Sequence, residues 1–185
     1  FNVSGIDKKI YLGNYKINNS DSLIDIFQKI YFRKIILKKF IISEGSKLTD
    51  LFSEEIIKSY CQTSNLLNEC RLEGYVKPDV YFYNRENEIL SILKKSIERQ
   101  KIDLSKSWKA RDSRLKNFSK KEILIIASIL EKESCANERG KISGVIYNRL
   151  TNNMLLQMDS TTIYGLKDFN GNLKKKDLRD SSLYN

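Results

Sequence analysis

The chain has 185 residues, enough for one domain, or one domain plus a small module, around a sizeable core. It carries 33 Lys+Arg against 23 Asp+Glu, a net charge of +10, with no histidine and three cysteines. Without histidine, and without a C-x-x-C pair among Cys61, Cys70 and Cys135, the sequence has no place for a His-based triad and almost none for a zinc site.

The odd cysteine count argues against a dense disulfide framework. No window of about 18 apolar residues exists, so no segment reads as a membrane span. The chain opens on Phe1 with no visible signal peptide. It therefore reads as an excerpt of a longer protein, with any anchor or export signal upstream. The positive charge raises nucleic-acid binding as a reading. However, the lysines are scattered, Lys174-Lys175-Lys176 is no more than a solvated turn, and no phosphate loop or aromatic-plus-basic signature appears. Nucleic acid is not among the expected partners.

In chain order, Ile10 to Ile17 has strand character with a turn or bulge at Gly13-Asn14. Ser20 or Ser22 can cap a short helix with Leu23, Ile24, Phe27 and Ile30 on one face. Lys34 to Ile42 predicts a second strand ending at Ser43-Glu44-Gly45. Ser46 or Thr49 then starts helical sequence through Ile56, Ile57 and Tyr60, and a further helical piece reaches about Cys70. Leu72 to Tyr81 holds the only proline, Pro78, in an extended or looped stretch. Asn84 can cap a long helix of Ile89, Leu90, Ile92, Leu93 and Ile97 that runs on toward Leu115.

Ser119-Lys120-Lys121-Glu122 is a capping box, and the apolar run Ile123 to Leu130 behind it is too long for a typical strand. Asn137 can cap a helix with Ile142, Val145 and Ile146 on one face, closing near Asn152-Asn153. Met154 to Met158 reads as extended. Asp159 or Ser160 can cap a last short helix stopped by Gly165.

Two carboxylates, Glu131 and Glu133, end the apolar helix. With residues placed 100° apart, the mean apolar direction lies nearest Leu130, Ile123 and Ile126. Glu133 falls about 50° from that direction and Glu131 about 110°, while Lys132 points away. Glu133 is thus the carboxylate turned toward the core side of the helix end. Apolar surroundings are how proteins keep a carboxyl protonated near neutral pH. Two solvated charges at a helix end are the alternative.

Several spaced motifs resemble the YceG-like family of endolytic murein transglycosylases. The most specific is Ala127-Ser128-Ile129-Leu130-Glu131-Lys132-Glu133-Ser134, with Glu138-Arg139 and Val145-Ile146-Tyr147-Asn148-Arg149-Leu150 behind it. Leu156-Gln157-Met158-Asp159-Ser160-Thr161-Thr162-Ile163-Tyr164-Gly165 follows. Earlier, Leu72-Glu73-Gly74-Tyr75 with Pro78-Asp79 and Tyr81 fits the pattern, and Gly13-Asn14-Tyr15 looks like the family's LysM-like module.

The resemblance implies an α+β fold: a partial LysM-like module over residues 1–33, then a helix-rich catalytic domain over 34–185. Relative to the family pattern both ends are short, and the catalytic domain lacks the β-rich tail with which family members continue past the position of Asn185 and which helps build the cleft. The implied enzymes are anchored in the bacterial inner membrane with the catalytic part in the periplasm. They cut the MurNAc–GlcNAc bond of nascent peptidoglycan strands without water and leave a 1,6-anhydro-MurNAc end. Peptidoglycan is the implied substrate, cell-wall synthesis enzymes are further partners, and no metal or organic cofactor is needed.

The family's catalytic Glu maps to Glu133. A protonated Glu133 would donate to the glycosidic oxygen, and its carboxylate would then take the proton from the sugar's C6 hydroxyl as that oxygen closes on C1. Gln157, Asp159, Thr161 and Tyr164 suit sugar hydroxyls and N-acetyl groups; alternatively Asp159 is a helix cap and Tyr164 half-buried core. Asn148 can orient Glu133 or bond a loop. Glu73 and Tyr75 can line the cleft, and Glu131 either supports Glu133 or pairs with Arg139 or Arg149. Tyr75, Tyr81, Phe82 and Tyr83 either stack on sugars or belong to the core. Lys77, Met158 and Ser160 depart from the pattern, Ser160 standing where proline is usual. An inactive glycan-binding remnant and, more weakly, a basic nucleic-acid-binding protein are the alternative functions.

Overall fold

A computed structural model describes residues 11–64, 70–166 and 169–179. They form two compact units, Phe1–Ile102 and Asp103–Asn185. Among the described residues, helices dominate and one small antiparallel sheet is present, an α+β fold.

The core of the first unit is built on the α4 stripe. In α4 (Ile89–Lys109), Ile89, Ile92, Leu93, Ser96 and Ile97 are buried, the i, i+3, i+4, i+7, i+8 spacing of one helix face. The Ser96 hydroxyl satisfies itself on the Leu93 carbonyl at 2.8 Å. Strands β1 (Lys38–Ile42) and β2 (Asp79–Tyr83) pair with Phe40 opposite Tyr81 and Ile42 opposite Asp79. Alternation turns Phe40, Ile42 and Tyr81 to the core and leaves Ile41, Val80 and Phe82 exposed. Of the aromatic set, Tyr81 is therefore core, its hydroxyl on the Lys77 carbonyl at 3.0 Å, and Tyr83 packs against that core. Phe82 faces solvent. Cys61 and Cys70 form a disulfide with Cα atoms 5.8 Å apart, and Cys135 is free and exposed.

Several expectations give way here. The first strand is reduced to one bridge, Tyr15 to Ile35, because Asn14 is drawn away to Asn84; Ile10 lies outside the described residues. The second strand begins at Lys38, not Lys34, since the Ile36 N–H bonds Asn14 and the Ile36 carbonyl bonds Asn84. The helical sequence after residue 46 splits into α2 (Leu48–Leu51) and α3 (Glu54–Thr63). Buried Phe52 takes extended backbone between them and packs on Phe40 at 5.2 Å. The helix starts follow Lys47 and Ser53, not Ser46 or Thr49. The helical piece expected just before Cys70 lies at residues 65–69, outside the described residues.

Helix α1 (Leu23–Tyr31) forms as expected, with Ser22 and Asp25 in a capping box. Its apolar face is nonetheless open, with Leu23 85% exposed and Ile24 and Phe27 exposed beside it.

Asn84 does not cap α4; a 3-10 turn over Glu86–Glu88 intervenes. Buried Asn84 instead accepts from the Asn14 N–H at 2.8 Å and donates to the Ile36 carbonyl at 2.7 Å. Gly13 is required beside it, because a Cβ there would stand 2.9 Å from the Asn84 side-chain oxygen. Helix α4 stops at Lys109, short of Leu115, because Asp112 accepts from the Arg114 N–H at 2.8 Å and starts a new 3-10 turn.

The second unit holds α5 (Lys120–Glu133), α6 (Arg139–Thr151) and α7 (Asp159–Gly165). Among its described residues few are buried: Ile129 from α5, Ile146 from α6 and Thr162 from α7. Glu138, not Asn137, precedes α6, and Met158, not Asp159 or Ser160, precedes α7; neither gives a side-chain cap.

Asn84→Ala should lower the stability of the first unit by about 2 kcal/mol, since it strands the Asn14 N–H and the Ile36 carbonyl. Asn84→Asp should not restore it, because Asp accepts from Asn14 but cannot donate to Ile36. Urea unfolding followed by circular dichroism reads both.

Candidate active site

Helix α5 is fixed at both ends by local bonds. Ser119 Oγ accepts from the Glu122 N–H at 3.2 Å, and Glu122 accepts from the Ser119 N–H at 2.7 Å. The Ser119 N–H, and behind it the Ser119 hydroxyl, hold the Glu122 carboxyl below its ordinary value. At the far end Ser134 turns to extended backbone, and both its N–H and its hydroxyl donate to the Leu130 carbonyl, at 3.1 and 2.5 Å. Glu133 is thereby the last helical residue.

Glu133 stands one turn beyond buried Ile129, on the same face, and is itself half-buried. Its Oε1 accepts from the main-chain N–H of Ser160 at 2.9 Å. Met158 offers no side-chain acceptor to the first turn of α7, so the carboxylate of a residue 27 positions away supplies one. Lys132 between the two glutamates points to solvent.

Glu131 resolves to a partner of Arg139, whose Nη2 reaches both carboxylate oxygens at 2.6 and 2.7 Å. Arg149 does something else: its Nη1 donates to the Leu156 carbonyl and, at 3.4 Å, to that of Leu155. It therefore ties α6 to the irregular stretch before α7. Gln157 in that stretch is exposed and has φ 49°.

Asp159 is the first residue of α7, exposed and without a capping role. Thr161 donates its hydroxyl to the Met158 carbonyl at 2.8 Å, and Tyr164 is 41% exposed. Asn148 does not hydrogen-bond Glu133; its carbonyl accepts from the Asn152 N–H and side chain at 3.1 and 2.8 Å. Glu73 and Tyr75 belong to the first unit. There Glu73 Oε2 accepts from the Leu48 N–H at 3.1 Å, at the start of α2, and the Tyr75 N–H closes a turn on the Leu72 carbonyl.

Within the second unit, Glu133 is thus joined to α7, with Asp159 and Thr161 on either side of the contact. Arg149 holds the approach to it. The contact residue itself, Ser160, is legible in the sequence only as a possible cap. Its hydroxyl is buried without a hydrogen-bond partner. The one signal is that a serine stands at a position where the family pattern usually has proline, which would carry no N–H.

The profile of the YceG-like family matches residues 1–185. The chain belongs to the YceG-like family. The endolytic murein transglycosylase of Bacillus subtilis (strain 168) is 33% identical over 115 residues, 62% of this chain and 32% of that protein. That of Streptococcus pneumoniae serotype 2 (strain D39 / NCTC 7466) is 37% identical over 95 residues, 51% of this chain and 17% of that protein. These matches span a third or less of the relatives' length. The crystal structure of a YceG-like protein from Listeria monocytogenes shares the fold, with TM-score 0.65 and 24% identity over 96% of this chain and 68% of that one.

In this YceG-like chain the two arginines should differ in consequence. Arg139→Ala should cost at most about 1 kcal/mol, because its ion pair with Glu131 is partly exposed, at 45% and 30%. Arg149→Ala should cost about 1–3 kcal/mol and speed amide exchange through residues 154–162, because it strands carbonyls in the segment that carries α7. Urea midpoints and hydrogen-exchange mass spectrometry separate the two.

Proposed function

We propose that this chain cuts peptidoglycan internally, breaking the MurNAc–GlcNAc bond without water and leaving a 1,6-anhydro-MurNAc end. The observation that carries this reading is the setting of Glu133. It is half-buried at a fixed helix end, one oxygen is held by an amide, and Oε2 has no protein partner among the described residues. A carboxyl with one oxygen anchored has the other available for proton transfer.

In the proposed cycle, Oε2 delivers its proton to the glycosidic oxygen as positive charge develops at C1 of MurNAc. The same oxygen then takes the proton of the C6 hydroxyl, whose oxygen closes on C1. The nucleophile belongs to the substrate, so its effective concentration replaces an activated water, and a second carboxylate is unnecessary. Asp159 and Glu131 are therefore not given a catalytic task. Asp159, Thr161, Gln157, Tyr164 and Asn148 are assigned to sugar hydroxyls and N-acetyl groups. Arg149 and Glu131 support the helices that present them, and Glu73 and Tyr75 are assigned to glycan contacts within the first unit.

We place the reaction outside the cytoplasm, on nascent strands at the inner membrane, in company with wall-synthesis enzymes. The Cys61–Cys70 disulfide suits an oxidising compartment. Residues 1–33 are read as a partial LysM-like module and 34–185 as the catalytic domain.

Incubation with purified murein, followed by mass spectrometry of the products, should yield anhydro-muropeptides. Glu133→Gln should reduce their formation by about 100-fold or more. Undiminished product from Glu133→Gln would remove Glu133 from the chemistry. Murein binding by the unaltered chain without product would make it a glycan-binding remnant.

A further inference from the structure

Among the described residues Glu133 has a single hydrogen-bond donor, the Ser160 main-chain N–H. The other charged and titratable groups on the helices that meet there are engaged elsewhere or open to water. On α5, Glu131 is held by Arg139, and Lys132 is exposed. On α6, Arg149 holds the Leu155 and Leu156 carbonyls, Lys141 is exposed, and the Tyr147 ring lies 6.1 Å from that of Phe118. On α7, Asp159 and Tyr164 are exposed, as are Cys135 and Glu138 in the connection between α5 and α6. None of them hydrogen-bonds or ion-pairs with Glu133. The Ser160 hydroxyl is buried without a partner, so the contact is made by the backbone alone.

We propose that the Ser160 amide is the positioning donor of Glu133: it fixes Oε1 and leaves Oε2 for the substrate. This rests on Glu133 being the acid and base of the reaction. A carboxyl held at one oxygen presents the other in one orientation, and a misplaced catalytic group costs rate more than binding. Every residue except proline brings an N–H to position 160. Side-chain changes there should therefore be silent, while proline is not. Position 160 is the second residue of α7, within the first helical turn, where proline can be accommodated.

The test compares the 185-residue chain with Ser160→Ala and Ser160→Pro on purified murein. Ser160→Pro should lower kcat by about tenfold while KM stays put, and Ser160→Ala, which keeps the amide, should lose far less. In 1H–15N spectra the residue-160 amide should exchange slowly with solvent in the unaltered chain and in Ser160→Ala, and about tenfold faster in Glu133→Ala. An amide whose exchange Glu133→Ala leaves unchanged overturns the proposal, as do equal kcat values for Ser160→Pro and Ser160→Ala. Should Ser160→Pro fail to fold by circular dichroism, the amide exchange decides. A protected amide in a chain that makes no anhydro product overturns the catalytic reading, and the positioning role with it, while the hydrogen bond stands.

Discussion

A helix exposes main-chain N–H groups at its start, and in this chain two starts that lack a side-chain cap, those of α2 and α7, are met by carboxylates from far along the sequence. Glu73 reaches back 25 residues to the Leu48 amide of α2, and Glu133 reaches forward 27 to the Ser160 amide of α7. Both helices are short, with four and seven residues, and both follow residues, Lys47 and Met158, that provide no side-chain cap. Helices of this length are marginal without outside support. Each long-range carboxylate thus does two things: it completes a helix start, and it has its own orientation fixed in return.

That reciprocity matters most at Glu133. The second unit buries few side chains, so its geometry leans on directed bonds as much as on packing. Ser134 closes α5, Arg149 holds the irregular approach to α7, and the Ser160 amide joins the two ends. A carboxylate held this way is fixed at one oxygen and open at the other, the setting on which the proposed proton transfers rest.

Legibility followed the range of the interaction. The capping box at Ser119, a serine cap for α1 at Ser20 or Ser22 and the apolar stripe of α4 were readable because each is decided within a few residues. The same local logic failed for Asn84, Asn137, Asp159 and Ser160, all good capping types. Asn84 is taken by Asn14 and Ile36 from 70 and 48 residues away, and α7 is served by Glu133 instead. The inward turn of Glu133 was legible because the helical period sets it near the apolar direction of Leu130, Ile123 and Ile126. Its donor was not, since a main-chain N–H leaves no residue-type signature. Phe52 shows the same limit: its burial against Phe40 splits a run that propensity alone makes continuous.

The cysteines carry a practical consequence. With Cys61 and Cys70 joined, Cys135 is the one free thiol of the chain's three, and it is exposed two residues beyond Glu133. A fluorophore or spin label attached through a thiol would therefore land beside Glu133 without any engineered residue, and would report on whatever binds there.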